Sequence, residues 1–171
     1  MVEVEVKIRL EDPAAIEHTL LRLGASLVKA RFLESNTLYD FASRALTERQ
    51  CALRLRRAGR KAFLTFKGAP QKSRRFKVRE EFETEIKNEK ALRHILRSLR
   101  LSPVFEYEKF RTVYQKGRLK ICVDETAIGY FLELEGERNE IMKFVRALGF
   151  QRHDLIKKDY VELLSERKAA S

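Results

Sequence analysis

A chain of 171 residues, 44% of them hydrophobic, can bury a core of its own, so neither disorder nor a disulfide-stapled miniprotein is expected. Lys and Arg number 36 against 25 Asp and Glu, a formal charge of +11 that favours polyanionic partners: nucleic acid, nucleotides, polyphosphates or acidic membranes. Cys51 and Cys122 belong to no CxxC or Cys/His cluster, which disfavours a zinc site, and no apolar run approaches the roughly 20 residues of a membrane span.

The N-terminal stretch VEVEVKIRL is charged at every second residue. That is a strand pattern and no signal peptide, so the cytoplasm is the expected compartment. Asp12-Pro13 then starts a helix, with Ile16, Leu20, Leu21 and Leu23 on one side and Gly24 at its end. A longer mixed strand is expected over roughly 28–41. ALRLRR (52–57) and KAFLTFKG (61–68) flank a hairpin turn at Ala58-Gly59-Arg60. Residues 69–77, APQKSRRFK, read as a mobile basic loop between two strands, carrying Arg74, Arg75 and Lys77.

A strand ending in EFETEI leads to a helix marked by Leu92, Ile95, Leu96 and Leu99. EYEKFRTVYQ (106–115) and RLKICVDE (118–125) flank the turn Lys116-Gly117, and IGYFLELE (128–135) follows. Ile141, Phe144, Val145 and Leu148 mark a third helix closed by Gly149, and a short helix is expected near 159–167. About eight strands and three main helices result, in one domain spanning 1–171, with strand–helix units loosely repeated.

Side chains alternate faces along a strand. Glu3, Glu5, Lys7 and Arg9 therefore share one face, and Val2, Val4, Val6 and Ile8 the other. The same segregation sets Arg54 and Arg56 against Leu53 and Leu55, Thr65 and Lys67 against Leu64 and Phe66, and Arg79, Glu81, Glu83 and Glu85 against Val78 and Phe82. It sets Lys109 and Arg111 against Phe110, Lys120 and Asp124 against Ile121 and Val123, and Glu133 and Glu135 against Leu132 and Leu134. An open antiparallel sheet with a solvated face accounts for this. So does an eight-stranded antiparallel closed β-barrel with a charged lumen and helices packed outside, which leaves no exposed edge. In a lumen, crowded carboxylates recruit a hard cation, Mg²⁺ or Mn²⁺. Arginines and lysines there would bind phosphates.

Several motifs, in order, resemble the CYTH superfamily, the triphosphate tunnel metalloenzymes. Glu3-x-Glu5-x-Lys7 is similar to the family's E-x-E-x-K, Leu53-Arg54-Leu55-Arg56 to L-R-x-R, and Thr65-Phe66-Lys67-Gly68 to T-x-K-G. Arg79-Glu80-Glu81-Phe82-Glu83 resembles R-x-E-x-E, Lys109-Phe110-Arg111 resembles K-x-R, and Asp124 followed by Gly129 to Glu135 resembles D then G-x-F-x-E-x-E. Lys158 to Leu164 resembles K-x-S-Y-x-x-L-L, with Asp159 in place of Ser.

The resemblance covers the whole chain and implies an α+β tunnel fold. It implies metal at Glu3, Glu5, Asp124, Glu133 and Glu135. It implies triphosphate binding by Lys7, Arg54, Arg56, Lys67, Arg79, Lys109 and Arg111, with Glu81 and Glu83 holding metal or fixing the arginines. Lys158, Arg56 and Lys67 are the candidate catalytic residues, Lys158 closing on the phosphates from the C-terminal segment. Asn36 stands where the family often carries Asp in D-x-Y-F-D, so that strand is assigned no catalytic role. Arg9, His18 and His94 are expected at the surface, Tyr39 in packing or a hydrogen bond, and Cys122 on the face of Asp124.

The expected activity is that of a metal-dependent triphosphatase acting on ATP, tripolyphosphate or thiamine triphosphate. The alternatives are a class IV adenylyl cyclase and a non-enzymatic polyanion or RNA-binding module. Interleaved carboxylates disfavour nucleic acid, because they repel a phosphate backbone. No membrane partner is expected, and a homodimer is the candidate assembly.

Overall fold

The computed structural model describes residues 2–170. Nine strands are present: β1 (Val2–Leu10), β2 (Ser26–Asp40), β3 (Ala52–Ala58), β4 (Lys61–Lys67), β5 (Lys77–Ile86), β6 (Ser102–Lys116), β7 (Leu119–Thr126), β8 (Gly129–Glu135) and the two-residue β9 (Leu155–Ile156). Five α-helices join them: α1 (Pro13–Arg22), the single turn α2 (Ala45–Glu48), α3 (Glu89–Ser98), α4 (Arg138–Ala147) and α5 (Tyr160–Ala170).

The strands pair in the order β5-β4-β3-β2-β6-β7-β8-β1, and β5 pairs in turn with β1. The hydrogen-bonded ladder of eight strands thus closes on itself. This is the α+β closed-barrel topology, and the open-sheet alternative falls. β9 adds to β1 at Lys7 and Ile8. The pairs β1–β8, β2–β3, β3–β4, β4–β5, β6–β7 and β7–β8 are antiparallel.

By internal packing the chain divides into two compact units. The first gathers Val2, Leu33–Gln71 and Arg79–Glu108, and the second gathers Glu3–Phe32, Lys72–Val78 and the described residues from Lys109 onward. The second unit's core is built from the apolar faces of β1, β7 and β8. Val6, Ile8, Ile121, Val123, Leu132 and Leu134 pack with Leu20 of α1 and Ile141, Phe144 and Val145 of α4. The first unit's core joins Tyr39, Leu55 and Ala62 to Leu96 and Leu101, with Leu92 and Leu53 against them. In both units the charged faces of the same strands point away from these cores, because side chains alternate.

Helix starts follow from their caps. Asp12 Oδ1 accepts from Ala15 N at 3.0 Å, with Pro13 in the first turn. Asn88 and Glu137 cap α3 and α4 in the same way, accepting from Ala91 N and Asn139 N. Gly149 follows α4 at φ +86°, a conformation that glycine adopts at little cost. Arg100 takes the corresponding place after α3 at φ +63° despite its Cβ, which is why that helix end carried no glycine signal.

The structure corrects one expectation about the loop. Lys77 is the first residue of β5 and is buried, where a place in a mobile loop was expected. Its ammonium is matched by Asp159 at 2.6 Å, a partner far along the chain. β6 also starts earlier than expected, at Ser102, and α2 and β9 carry too few residues for periodicity to reveal.

Candidate functional site

The charged face of the second unit is a tightly paired cluster. Arg111 forks onto Asp124, with Nε to Oδ1 and Nη2 to Oδ2 both at 2.6 Å, and Nη2 also reaches Glu133 Oε1 at 2.9 Å. Arg111 and Asp124 are register partners on β6 and β7, which explains the fork. Lys109 Nζ donates to Asp124 Oδ2 at 3.1 Å. Lys7 Nζ lies 3.0 Å from Glu5 and 3.3 Å from Glu133. These cations are 2% (Lys7), 3% (Lys109) and 6% (Arg111) exposed, and Asp124 is fully buried.

Burial alone lowers a lysine pKa, yet Glu133 and Glu5 together hold that of Lys7 above its ordinary value. Burial likewise opposes charge on Glu133, but Arg111, Lys7 and Lys109 pull its carboxyl well below the usual range. Cys122 shares this face, and burial raises its thiol to about 11, so it stays protonated.

Tyr160 completes the cluster from the start of α5. Its hydroxyl donates to Asp124 Oδ2 at 2.6 Å. Its ring takes Lys109 Nζ at 4.5 Å and Lys7 Nζ at 5.2 Å, and meets Phe131 edge-on at 5.6 Å. Sequence reading gave Tyr160 no role, although it stands in the C-terminal motif.

The first unit carries a second charged face. Arg56 Nη2 donates to Glu83 Oε1 at 2.7 Å and Nη1 to Glu34 Oε2 at 3.4 Å. Thr65 Oγ1 donates to Glu83 Oε2 at 2.7 Å, and Arg54 Nη2 lies 3.9 Å from the same oxygen. Lys67 pairs with Glu81 at 2.7 Å, and Arg79 Nη2 donates to Gln50 O at 3.0 Å. Burial would raise the Glu83 pKa, but Thr65 and Arg56 lower it. Glu34 is fully buried and Asn36 is 1% exposed. Neither was expected to matter, because Asn36 was read as a lost charge.

The expected site residues are thus distributed in defined ways. Lys7, Lys109, Arg111, Asp124, Glu5 and Glu133 come together in the second unit, and Arg54, Arg56, Lys67, Glu81 and Glu83 in the first. Glu3 is half-buried on β1, and Glu135 binds Lys120 at 2.6 Å. Two placements depart from the expectation. Asp124 is saturated by Lys109, Arg111 and Tyr160 and acts here as the counter-charge that orients cations. Lys158 is 52% exposed in its side chain and pairs with Glu166 at 2.6 Å, apart from the buried cluster. Arg9, His18 and His94 are exposed, and Tyr39 is buried, its hydroxyl accepting from Arg93 Nη1 at 2.7 Å.

Among the described residues no three Asp, Glu, His or Cys side chains converge in an arrangement that could hold a metal ion. The donor chemistry nevertheless fits a hard cation. Glu5 stands opposite Glu135 in register, and Lys7 opposite Glu133. Lys7 neutralises Glu5 and Lys120 neutralises Glu135, and the carboxylate oxygens these residues present are the donor type a hard cation takes.

The model of the CYTH domain matches residues 1–160. The chain belongs to the CYTH family. A Methanocaldococcus jannaschii protein named "Putative adenylate cyclase MJ0240" is 31% identical over 174 residues, covering 95% of this chain and 98% of that one. Among solved structures, the CYTH chain is similar to a Vibrio parahaemolyticus protein described as a "putative adenylate cyclase", with TM-score 0.83 and 20% identity over 96% of this chain and 98% of the other. A Pyrococcus horikoshii protein gives TM-score 0.80 and 26% identity over 96% and 99%. A Hippeastrum protein, described as a "putative adenylyl cyclase" with "a dominant triphophatase activity", gives TM-score 0.67 and 21% identity over 98% and 96%. Among the described residues no helix is long and apolar enough to cross a membrane.

Proposed function

We propose that this CYTH protein is a divalent-metal-dependent triphosphatase. The observation that carries the reading is the burial of Lys7, Lys109 and Arg111 on one sheet face beside Glu5 and Glu133. Glu5, Glu133 and Asp124 hold these three cations charged on one face, and a polyphosphate is the polyanion that such an assembled lysine–arginine face suits. Within the first unit, Arg54, Arg56 and Lys67 carry the same donor types, and in this reading that face also suits phosphate oxygens. Glu5, Glu133 and Glu135, with Glu3, would hold Mg²⁺ or Mn²⁺, a choice that rests on their all-oxygen donor set. The ion, when bound, supplies charge neutralisation of phosphate oxygens and Lewis acidity.

The chain's own residues do the rest. Asp124 holds Arg111 and Lys109 in fixed positions, so their charges are oriented before a ligand arrives. Tyr160 fixes Asp124 in turn. The second reading is an adenylyl cyclase, favoured by the name of the Methanocaldococcus relative. The Hippeastrum protein, a "putative adenylyl cyclase" with a dominant triphosphatase activity, favours the hydrolase.

The deciding experiment offers ATP, tripolyphosphate and thiamine triphosphate with Mg²⁺ or Mn²⁺ and assays phosphate, pyrophosphate and cyclic AMP together. Phosphate release that EDTA abolishes is expected. Cyclic AMP with pyrophosphate selects the cyclase, and turnover undiminished by EDTA overturns the metal. In parallel, tripolyphosphate at about 100 times its Kd should stabilise the fold by about 2.7 kcal/mol. Orthophosphate should do far less. Equal shifts from both would indicate charge screening instead.

A further inference from the structure

The charged face of the first unit is not wholly ionic. On β2, Glu34, Asn36 and Leu38 share one face, opposite Ala58, Arg56 and Arg54 of β3. On β4, Phe63 and Thr65 stand opposite Arg56 and Arg54, and the Arg56 guanidinium lies 4.8 Å from the Phe63 ring centre. β2 neighbours β6, and Thr37 Oγ1 donates to Glu106 on the other face of both strands. Phe105 and Tyr107 of β6 therefore share the face of Asn36. Their rings lie 6.2 Å apart, both half-buried. Three aromatic rings and one amide thus accompany two arginines.

Asn36 is the informative member. Its Nδ2 donates to Glu34 Oε1 at 3.2 Å. Glu34, as the carboxylate partner of Arg56, only accepts, so the amide nitrogen must face it and the orientation of Asn36 is set. Oδ1 then points away from Glu34, buried, and no donor among the described residues reaches it. A buried acceptor without a donor is costly, because it has given up water for nothing. The Nε atoms of Arg54 and Arg56 are buried on the same face with no acceptor among the described residues. Arginine donors suit phosphate oxygens. A carbonyl oxygen does not, because a bare polyphosphate offers it no N–H.

We infer that Asn36 is a specificity-determining residue, its Oδ1 accepting from an N–H or O–H on the aromatic organic moiety of a triphosphate ester, with Phe63, Phe105 and Tyr107 lining the ring's place. The inference rests on the triphosphate reading above and narrows it to organic triphosphates. Adenine with its ribose and the aminopyrimidine of thiamine share the required chemistry: a flat ring carrying a donor.

The test measures binding of four ligands, ATP, thiamine triphosphate, methyl triphosphate and tripolyphosphate, by thermal shift with Mg²⁺ and by calorimetry without it. Methyl triphosphate is an ester like the first two but has neither ring nor donor. At least one ring-bearing ligand should bind wild type about tenfold tighter than methyl triphosphate, equivalent to about 1.4 kcal/mol. Asn36→Leu should remove most of that preference; it also removes the Nδ2 bond to Glu34, a loss common to every ligand, so the readout is the ratio of ring-bearing ester to methyl triphosphate, which should fall toward one. Which of ATP and thiamine triphosphate loses affinity identifies the ring. If Asn36→Leu does not fold, the wild-type comparison of esters decides by itself. Wild type binding all three esters alike overturns the inference and leaves the triphosphate reading intact. So does an Asn36→Leu effect equal for all ligands, which marks Asn36 as merely structural. Binding of none of the four by wild type overturns both.

Discussion

Tyr160 donates a 2.6 Å hydrogen bond to Asp124, a carboxylate with no exposed surface that already accepts from Arg111 and Lys109. The two residues are 36 positions apart in the chain, and their bond ties α5 to the charged face of the second unit. Burial, the Asp124 carboxylate and Glu133 together hold the Tyr160 hydroxyl protonated, its pKa well above the usual value. Tyr160→Phe removes the donor and little else, since the ring can keep its place against Phe131. A bond to a charged group is worth about 1.5–3 kcal/mol. The expected loss in Tm is about 3–12 °C at about 2–4 °C per kcal/mol. Thermal unfolding checks it, and an unchanged Tm would show that α5 is held by other contacts.

Asp159, which replaces the Ser of the family motif, both caps α5 and neutralises Lys77. Its Oδ1 accepts from Glu162 N at 3.0 Å, Glu162 Oε2 accepts in return from Asp159 N at 2.7 Å, and Oδ2 takes the buried Lys77 ammonium. Asp159→Ser keeps a cap and loses the ion pair; Asp159→Ala loses both. Asp159→Ala should therefore be less stable than Asp159→Ser by about 1 kcal/mol, the usual worth of a cap. Both should fall below wild type in denaturant titration. Equal stability of the two variants would remove the capping role.

Glu133 and Glu83 both titrate below the ordinary carboxylate range in the folded chain. In the unfolded chain they titrate at about 4.3. Their contribution to stability is therefore complete above that pH and declines as pH falls through the folded values. Denaturant titrations in EDTA from pH 7 down to 3 should show this acid loss. Glu133→Gln should start less stable and show a shallower decline. An identical slope in the variant would assign the acid limb elsewhere.

Arg56 and Lys158 are expected to separate in kinetics. Arg56 is bound by Glu83 and Glu34, and its loss leaves the buried Glu34 short of a cation, so Arg56→Ala should lose stability as well as turnover. Arg56→Lys is the cleaner variant: it keeps the charge and loses the fork. A fall in kcat/KM of about tenfold or more is expected, about 1.4 kcal/mol of transition-state stabilisation. Lys158→Ala removes an exposed pair with Glu166, worth about 0–1 kcal/mol to stability. Kinetics then decide its proposed role. A large fall in kcat would show that Lys158 leaves Glu166 to reach substrate during turnover.

The alternation of charged and apolar residues was enough to assign the charged faces, because strand period is a local property that each segment carries by itself. Glu5, Lys7, Arg54, Arg56, Lys109, Arg111, Glu133 and Glu135 were all placed by parity alone, and the order of motifs was enough to name the family. Which charge meets which was decided by the register between strands and by chain return, and neither is local. Nothing near Asp124 in sequence announces that Tyr160 will bind it, nor does Lys77 announce Asp159, 82 positions on. Asn36 looked like a lost charge when read alone. Only beside Glu34 and Arg56 does its amide acquire a fixed orientation, because the buried carboxylate accepts from its nitrogen and turns its oxygen elsewhere. Lys158 shows the converse: its motif places it at the entry to α5, but the folded chain gives it to Glu166 at the surface.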